Sequence, residues 1–126
     1  MVFAHEKNNN QLVKHLLNDW YYRHAKRKFN TCIAESVKKF SNYSIPQDPP
    51  LVVKRMNKRW GSCTPKGRII LNPEVIKTPS KCIEYVVIHE LCHLIHPNHS
   101  KAFYKLQSEI MPDWEKWKLR LEKALV

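Results

Sequence analysis

His89-Glu90-Leu91-Cys92-His93, followed by Leu94-Ile95-His96-Pro97-Asn98-His99, decides the reading of this sequence. It is an HExxH element with a third histidine six residues beyond the second. On an α-helix, residues four apart lie nearly one above the other, so His89 and His93 can hold one metal ion from one face. Glu90 falls about 100° round the helix from His89. That places it beside the ion rather than on it, where a general base for an activated water belongs. Imidazole donors suit Zn²⁺, which takes three protein ligands and keeps one open position when it is catalytic. The spacing predicts a zinc hydrolase.

The alternative is a set of core or surface histidines. Three observations weigh against it. The run Cys82-Ile83-Glu84-Tyr85-Val86-Val87-Ile88 is mostly apolar, so the pair would enter the interior on a buried helix. Buried histidines flanking a glutamate are costly without a partner. Pro97 then disfavours helix at His96, and Pro97-Asn98 is turn chemistry that can swing His99 back toward the pair. His96 competes as third ligand, but three residues after His93 it would sit well off the ligand face, and it falls where the helix ends. A surface position at the helix C-terminus is the reading for His96, and His99 is the expected third ligand. The spacing to His99 equals that of metzincins, which carry Gly where His96 stands. With no Gly at that turn, the sequence is not read as a metzincin, and Met111 is read as core packing rather than a Met-turn.

A chain of 126 residues with 43% hydrophobic content is enough for one domain with its own core. No run has the apolar length to span a membrane, and Met1 to Asn10 lacks a signal-peptide core. Cys32, Cys63, Cys82 and Cys92 show no CxxC spacing, which argues against a zinc ribbon or redox motif; their even number permits disulfides, but with no secretory signal reduced thiols in the cytoplasm are the expectation. Cys92, inside the HExxH stretch, is read as packing. Only Gly61 and Gly67 occur, so no glycine-rich loop can cradle phosphates, which argues against nucleotide-dependent chemistry. The net charge of +11 is uneven: residues 1–42 carry eight basic and three acidic groups, and residues 43–72 carry six against one. A basic front half on a neutral catalytic half suggests an anionic partner such as DNA or RNA; the alternative is a solvated basic surface.

The pattern along the chain is α+β. From Asn8 to about Phe40, Leu12, Leu16, Trp20, His24, Ala25, Phe29, Cys32, Ile33 and Val37 follow three- and four-residue steps, predicting one long helix with these residues on its buried face. Pro46, Pro49 and Pro50 mark a linker within the domain. Leu51-Val52-Val53 and Ile69-Ile70-Leu71 read as strands, and Trp60 to Cys63 joins the latter through Thr64-Pro65-Lys66-Gly67 as a hairpin. Glu74 to Ile76 fits a short helix. Ser80 is a plausible N-cap for the HExxH helix. Ser100 to Ile110 is an amphipathic helix that Pro112 ends, and Asp113 to Leu125 forms the last, with Trp114, Trp117, Leu121 and Leu125 on a core stripe.

Four motifs in order then become informative together: Arg59-Trp60-Gly61-Ser62-Cys63, Arg68-Ile69-Ile70-Leu71-Asn72, Tyr85 to Leu94 around the HExxH element, and Asn98-His99-Ser100-Lys101-Ala102-Phe103. With them the sequence closely resembles the YgjP-like metallopeptidase family. The resemblance implies one zincin-like domain over residues 1–126, with a long N-terminal helix, a small β-sheet or hairpin packed on the HExxH helix, and two C-terminal helices. It also implies zinc held by His89, His93 and His99, with Glu90 as the catalytic carboxylate. The family is similar to SprT-like proteases, which act on proteins attached to DNA. Many members carry an additional β-rich N-terminal region that this sequence does not show.

Three functions follow. The first is a zinc peptidase acting on protein or peptide substrates, with Glu90 as general base for a zinc-activated water. The second is a nucleic-acid-associated module in which the metal is structural. The third is a zinc hydrolase of another class, such as an amidase. An intact Glu90 favours catalysis, because a structural site closes with a fourth protein ligand. An extended peptide could add to the sheet along Trp60 to Cys63 or Arg68 to Leu71, unless the hairpin merely braces the helix. Tyr104 is read as packing, with a hydrogen bond to a developing oxyanion as the alternative.

Overall fold

The HExxH helix occupies the centre because its own residues leave it no exposed apolar face to spare. The structure, a computed structural model, describes residues 2–124. Helix α1 spans Val2–Val37 and tightens into a 3-10 turn at Lys38–Phe40. Strands β1 (Leu51–Val53), β2 (Gly61–Cys63) and β3 (Ile69–Leu71) follow, then a 3-10 helix at Pro73–Lys77. Helices α2 (Ser80–His93), α3 (Lys101–Ile110) and α4 (Trp114–Ala124) complete the α+β order expected from the sequence. In α2, Cys82, Ile83, Tyr85, Val86, Val87, Ile88, Leu91 and Cys92 are all buried, and the helix packs on α1, β2, α3 and α4. No helix among the described residues is long and apolar enough to cross a membrane.

The sheet order is β1-β3-β2, with β1 parallel and β2 antiparallel to β3. The hairpin from β2 to β3 closes as its turn residues predict. The Thr64 N–H donates to the Arg68 carbonyl at 2.9 Å, and the Thr64 hydroxyl accepts from the Arg68 N–H at 3.0 Å. Gly67 takes a left-handed φ of 85°, which explains glycine at that position. Because β3 is central, Arg68 to Leu71 has no free edge. Of the two segments expected to offer one, only Trp60 to Cys63 does so, through β2.

Two expectations are corrected. Ala25, Phe29, Ile33, Val37 and Phe40 are buried, but Leu12, Leu16 and Trp20 are more than half exposed. The periodicity is real, yet the described fold leaves that apolar stripe of α1 uncovered, reaching this half through Arg55, which donates to Asn18. Ser80 does not cap α2. Pro79 holds the cap position, and its carbonyl accepts from the Cys82 and Ile83 N–H groups without any side-chain contribution. Elsewhere Ser100 caps α3, accepting from the Phe103 N–H, and Met111 and Leu121 enter the core as expected. Trp114 and Trp117 are half-buried, and Leu125, placed on the same stripe, lies outside the described residues. All four cysteines are free thiols, with Cys82 and Cys92 buried.

Asn72 fixes the approach to β2. It is buried, its Nδ2 donates to the carbonyls of Met56 (2.9 Å) and Arg59 (3.0 Å), and its Oδ1 accepts from the Glu74 N–H. Its own N–H donates to the Trp60 carbonyl. One side chain thus ties the 54–60 loop to the end of β3 and sets where Gly61 enters the centre.

Candidate metal centre

His89 and His93 project from the last turn and a half of α2, and the Pro97-Asn98 reversal brings His99 against both. Nε2 of His99 lies 3.1 Å from Nε2 of His89 and 3.0 Å from Nε2 of His93. The ligand atoms of all three lie within 4.8 Å of one another. These nitrogens cannot be reconciled by hydrogen bonds alone. Nδ1 of His89 faces Oε1 of Gln107 at 2.8 Å and Nδ1 of His93 faces the His96 carbonyl at 3.1 Å, so each ring places its proton there. Their Nε2 lone pairs then converge with His99, which has at most one Nε2 proton to offer. A cation resolves the clash. Three nitrogens about 2.0–2.1 Å from one tetrahedral zinc sit about 3.3 Å apart, so the cluster fits the ion closely.

Burial keeps His89 neutral, holding its pKa down to about 4 against the opposing hydrogen bond from Gln107. His93 is lowered too, again chiefly by burial. Neutral imidazole is the form that binds metal. Beneath the cluster, the buried ring of Phe103 packs against all three imidazoles, with centroid distances of 4.9, 4.6 and 5.0 Å to His89, His93 and His99. His96 stands apart from the group. It is half-buried rather than at the surface, and it contributes its backbone carbonyl and not its ring.

Glu90 is only 5% exposed, and burial pushes its pKa up to about 7, with Arg59 pulling it down. It opens onto a cleft of about 850 Å³ shared with His89, His93 and His99. The opposite wall is formed by Arg59, Gly61, Ser62, Cys63 and the hairpin turn to Gly67. Gly61 of β2 comes hard against the Glu90 side chain. Tyr104 is exposed rather than core, stacking on His99 on one side and on Trp114 on the other. The structure thus brings His89, Glu90, His93 and His99 to one cleft.

Gln107, Phe103 and Asn72 complete the surroundings, and their roles went unread in the sequence. Each left a signal there: Asn72 and Phe103 end two of the four motifs, and Gln107 is an amide one helical turn from Phe103 on the otherwise apolar face of α3.

Comparison with known proteins agrees with this architecture. The profile described as "YgjP-like, metallopeptidase domain" matches residues 2–124. No curated protein matches the sequence. Among solved structures, the metallopeptidase zymogen abylysin of Pyrococcus abyssi superposes with a TM-score of 0.68 at 20% identity, over 77% of this chain and 94% of that one. The metallopeptidase zymogen jannalysin of Methanocaldococcus jannaschii gives 0.58 at 20% identity, over 81% and 97%. At that identity the two structures speak to the fold, which they share with this chain.

Proposed function

The chain belongs to the YgjP-like metallopeptidase family, and from that membership we propose that it is one zinc-dependent peptidase domain, residues 1–126, in which His89, His93 and His99 hold the metal and Glu90 is the general base. The observation that carries this reading is the convergence of three imidazole nitrogens beside a buried carboxyl in one open cleft. When bound, zinc supplies Lewis acidity, polarising a carbonyl and bringing the pKa of water toward 7.

The residues of the chain supply the rest. A carboxyl poised near pKa 7 can take a proton from the attacking water and return it to the leaving amine at neutral pH, which is the role assigned to Glu90. The outer edge of β2, which pairs with no further strand among the described residues, lies beside Glu90, where an extended peptide can add as a strand and be held in line for attack. Glu90 is buried at the cleft and bonded to no side chain among the described residues, which supports amide hydrolysis over a purely structural metal. The free thiols fit a reducing, cytoplasmic setting.

The deciding experiment is Glu90→Gln, which keeps the shape and removes the base. One zinc per chain should remain, with turnover of a denatured labelled protein falling roughly 10²- to 10⁴-fold. Hydrolysis at the wild-type rate in this variant would show that Glu90 is not the base.

A second reading, contact with DNA or RNA as in an SprT-like role on DNA-bound protein, is favoured by one observation. Lys26, Arg27 and Lys28 are exposed and form no ion pair among the described residues.

A further inference from the structure

Gln107 is wholly shielded from solvent on the inner face of α3, one turn beyond Phe103. Its Oε1 lies 2.8 Å from Nδ1 of His89. Its Nε2 is equally buried and meets no acceptor among the described residues. A stranded amide donor lowers stability, and leucine would fill a similar space without one. Packing alone therefore does not account for glutamine here, and the one polar contact its side chain makes is to the imidazole.

Resting on the zinc reading above, we infer that Gln107 is the positioning residue of His89: its Oε1 accepts the Nδ1–H, keeps the proton off Nε2, and aims that nitrogen at the point shared with His93 and His99. A neutral imidazole carries its proton on one nitrogen or the other, and the tautomer is set by what each nitrogen meets. An acceptor at Nδ1 favours the form open to a cation at Nε2. An apolar residue at 107 removes that preference and lets the ring turn within its cavity. His93 is held differently, by the backbone carbonyl of His96, which no substitution deletes. Gln107 is thus the side chain through which the geometry of the α2 pair can be altered without touching a ligand. Partners of this kind contribute strongly to metal affinity.

The test compares wild type with Gln107→Leu, Gln107→Met and Gln107→Glu. In metal-free protein, ¹⁵N chemical shifts of the His89 ring should report the Nδ1–H tautomer in wild type and in Gln107→Glu, which keeps an acceptor. A mixture should appear in the two apolar variants. Competition against a chelator should show zinc affinity weakened roughly 10- to 100-fold in the apolar variants and largely restored in Gln107→Glu. The metal-free apolar variants exchange one stranded donor for another, because the His89 Nδ1–H then loses its acceptor, so their melting temperatures should stay near that of wild type, and having two of them guards against one misfolding. Unchanged tautomer and unchanged affinity in both apolar variants would overturn the inference. His89→Ala is the control for the underlying reading: if it binds zinc as wild type does, the three-histidine site is wrong. The ring shifts of the metal-free protein then still decide for or against Gln107.

Discussion

A Cβ placed on Gly61 would lie 2.9 Å from Oε2 of Glu90 and 3.1 Å from its Cγ. The same atom would meet Cγ1 of Val86 at 3.1 Å, so strand β2 and helix α2 touch through the absence of a side chain. Gly61 has no unusual backbone angle; the requirement is space.

Gly61→Ala therefore should displace the Glu90 carboxylate, the more mobile of its neighbours, before it disturbs the fold. Activity should drop roughly tenfold to a hundredfold, the usual cost of misplacing a reacting group by a fraction of an ångström to an ångström. Overpacking should cost about 1–3 kcal/mol. Zinc content should not change, since no imidazole moves. Metal analysis beside steady-state kinetics separates the two effects, and zinc loss in this variant would contradict the account.

Replacing the histidines singly should divide them into two classes. His89→Ala, His93→Ala and His99→Ala should each lose most of the metal. His96→Ala should keep it, because that residue offers only a main-chain carbonyl. Elemental analysis of the four purified variants decides the assignment, and metal lost from His96→Ala but kept by His99→Ala would reverse it.

Asn72→Leu should destabilise the protein by about 1–3 kcal/mol, as it removes the partner of the part-buried Met56 and Arg59 carbonyls and of the Glu74 N–H. Denaturant unfolding in the presence of a chelator measures this without a contribution from zinc. A change below half a kcal/mol would mean that water replaces the asparagine easily.

Glu84 gives the fold an acid dependence. Burial alone would raise its pKa, but hydrogen bonds from Lys39 and Lys81 outweigh it and hold the carboxyl below its ordinary value. A carboxyl depressed in the folded state adds stability that is complete above the unfolded pKa and disappears as pH falls through the folded one. With the unfolded value near 4.3, wild type should exceed Glu84→Gln by up to about 1 kcal/mol at pH 7, a modest figure because both lysines are about half exposed. The two proteins should converge as pH falls through the depressed folded value. Urea titrations at a series of pH values test this, and a constant difference across the range would exclude the ion pairs as its source.

If Lys26, Arg27 and Lys28 bind nucleic acid, affinity for labelled single- and double-stranded DNA must fall steeply with salt, with a log–log slope of about −0.9 per duplex phosphate neutralised. Charge reversal at the three positions should flatten that slope. Negligible binding at low salt leaves a peptidase without a nucleic-acid role, whereas DNA that stimulates cleavage of a bound protein and not of a free peptide supports the SprT-like one.

The meeting of His89, His93 and His99 was legible in the sequence because helical spacing and one proline turn determine where they come together. The hairpin was legible too, since Thr64-Pro65-Lys66-Gly67 carries its own turn chemistry. Gln107 and Asn72 were not, because each acts on partners 13 to 18 residues away whose approach depends on tertiary packing. The stripe through Leu12, Leu16 and Trp20 shows the opposite limit: periodicity reveals that a face exists and says nothing of what covers it. Ser80 is not the cap because Pro79, with an extended ψ of 150°, takes that position and leaves Ser80 as the first residue inside the helix.

Helix α1, 36 residues and so about 54 Å long, is one rod with two separate grounds for being helical. From Ala25 onward its hydrogen bonds are guarded by the core and can break only when the core opens. Between Asn10 and Trp20 every residue is exposed, and the helix rests on local propensity, which is marginal over so few turns. Amide exchange should therefore divide this single element into a fast half and a slow half, with the border near Ala25. The protected half would exchange together with α2, as one cooperative unit that carries the site.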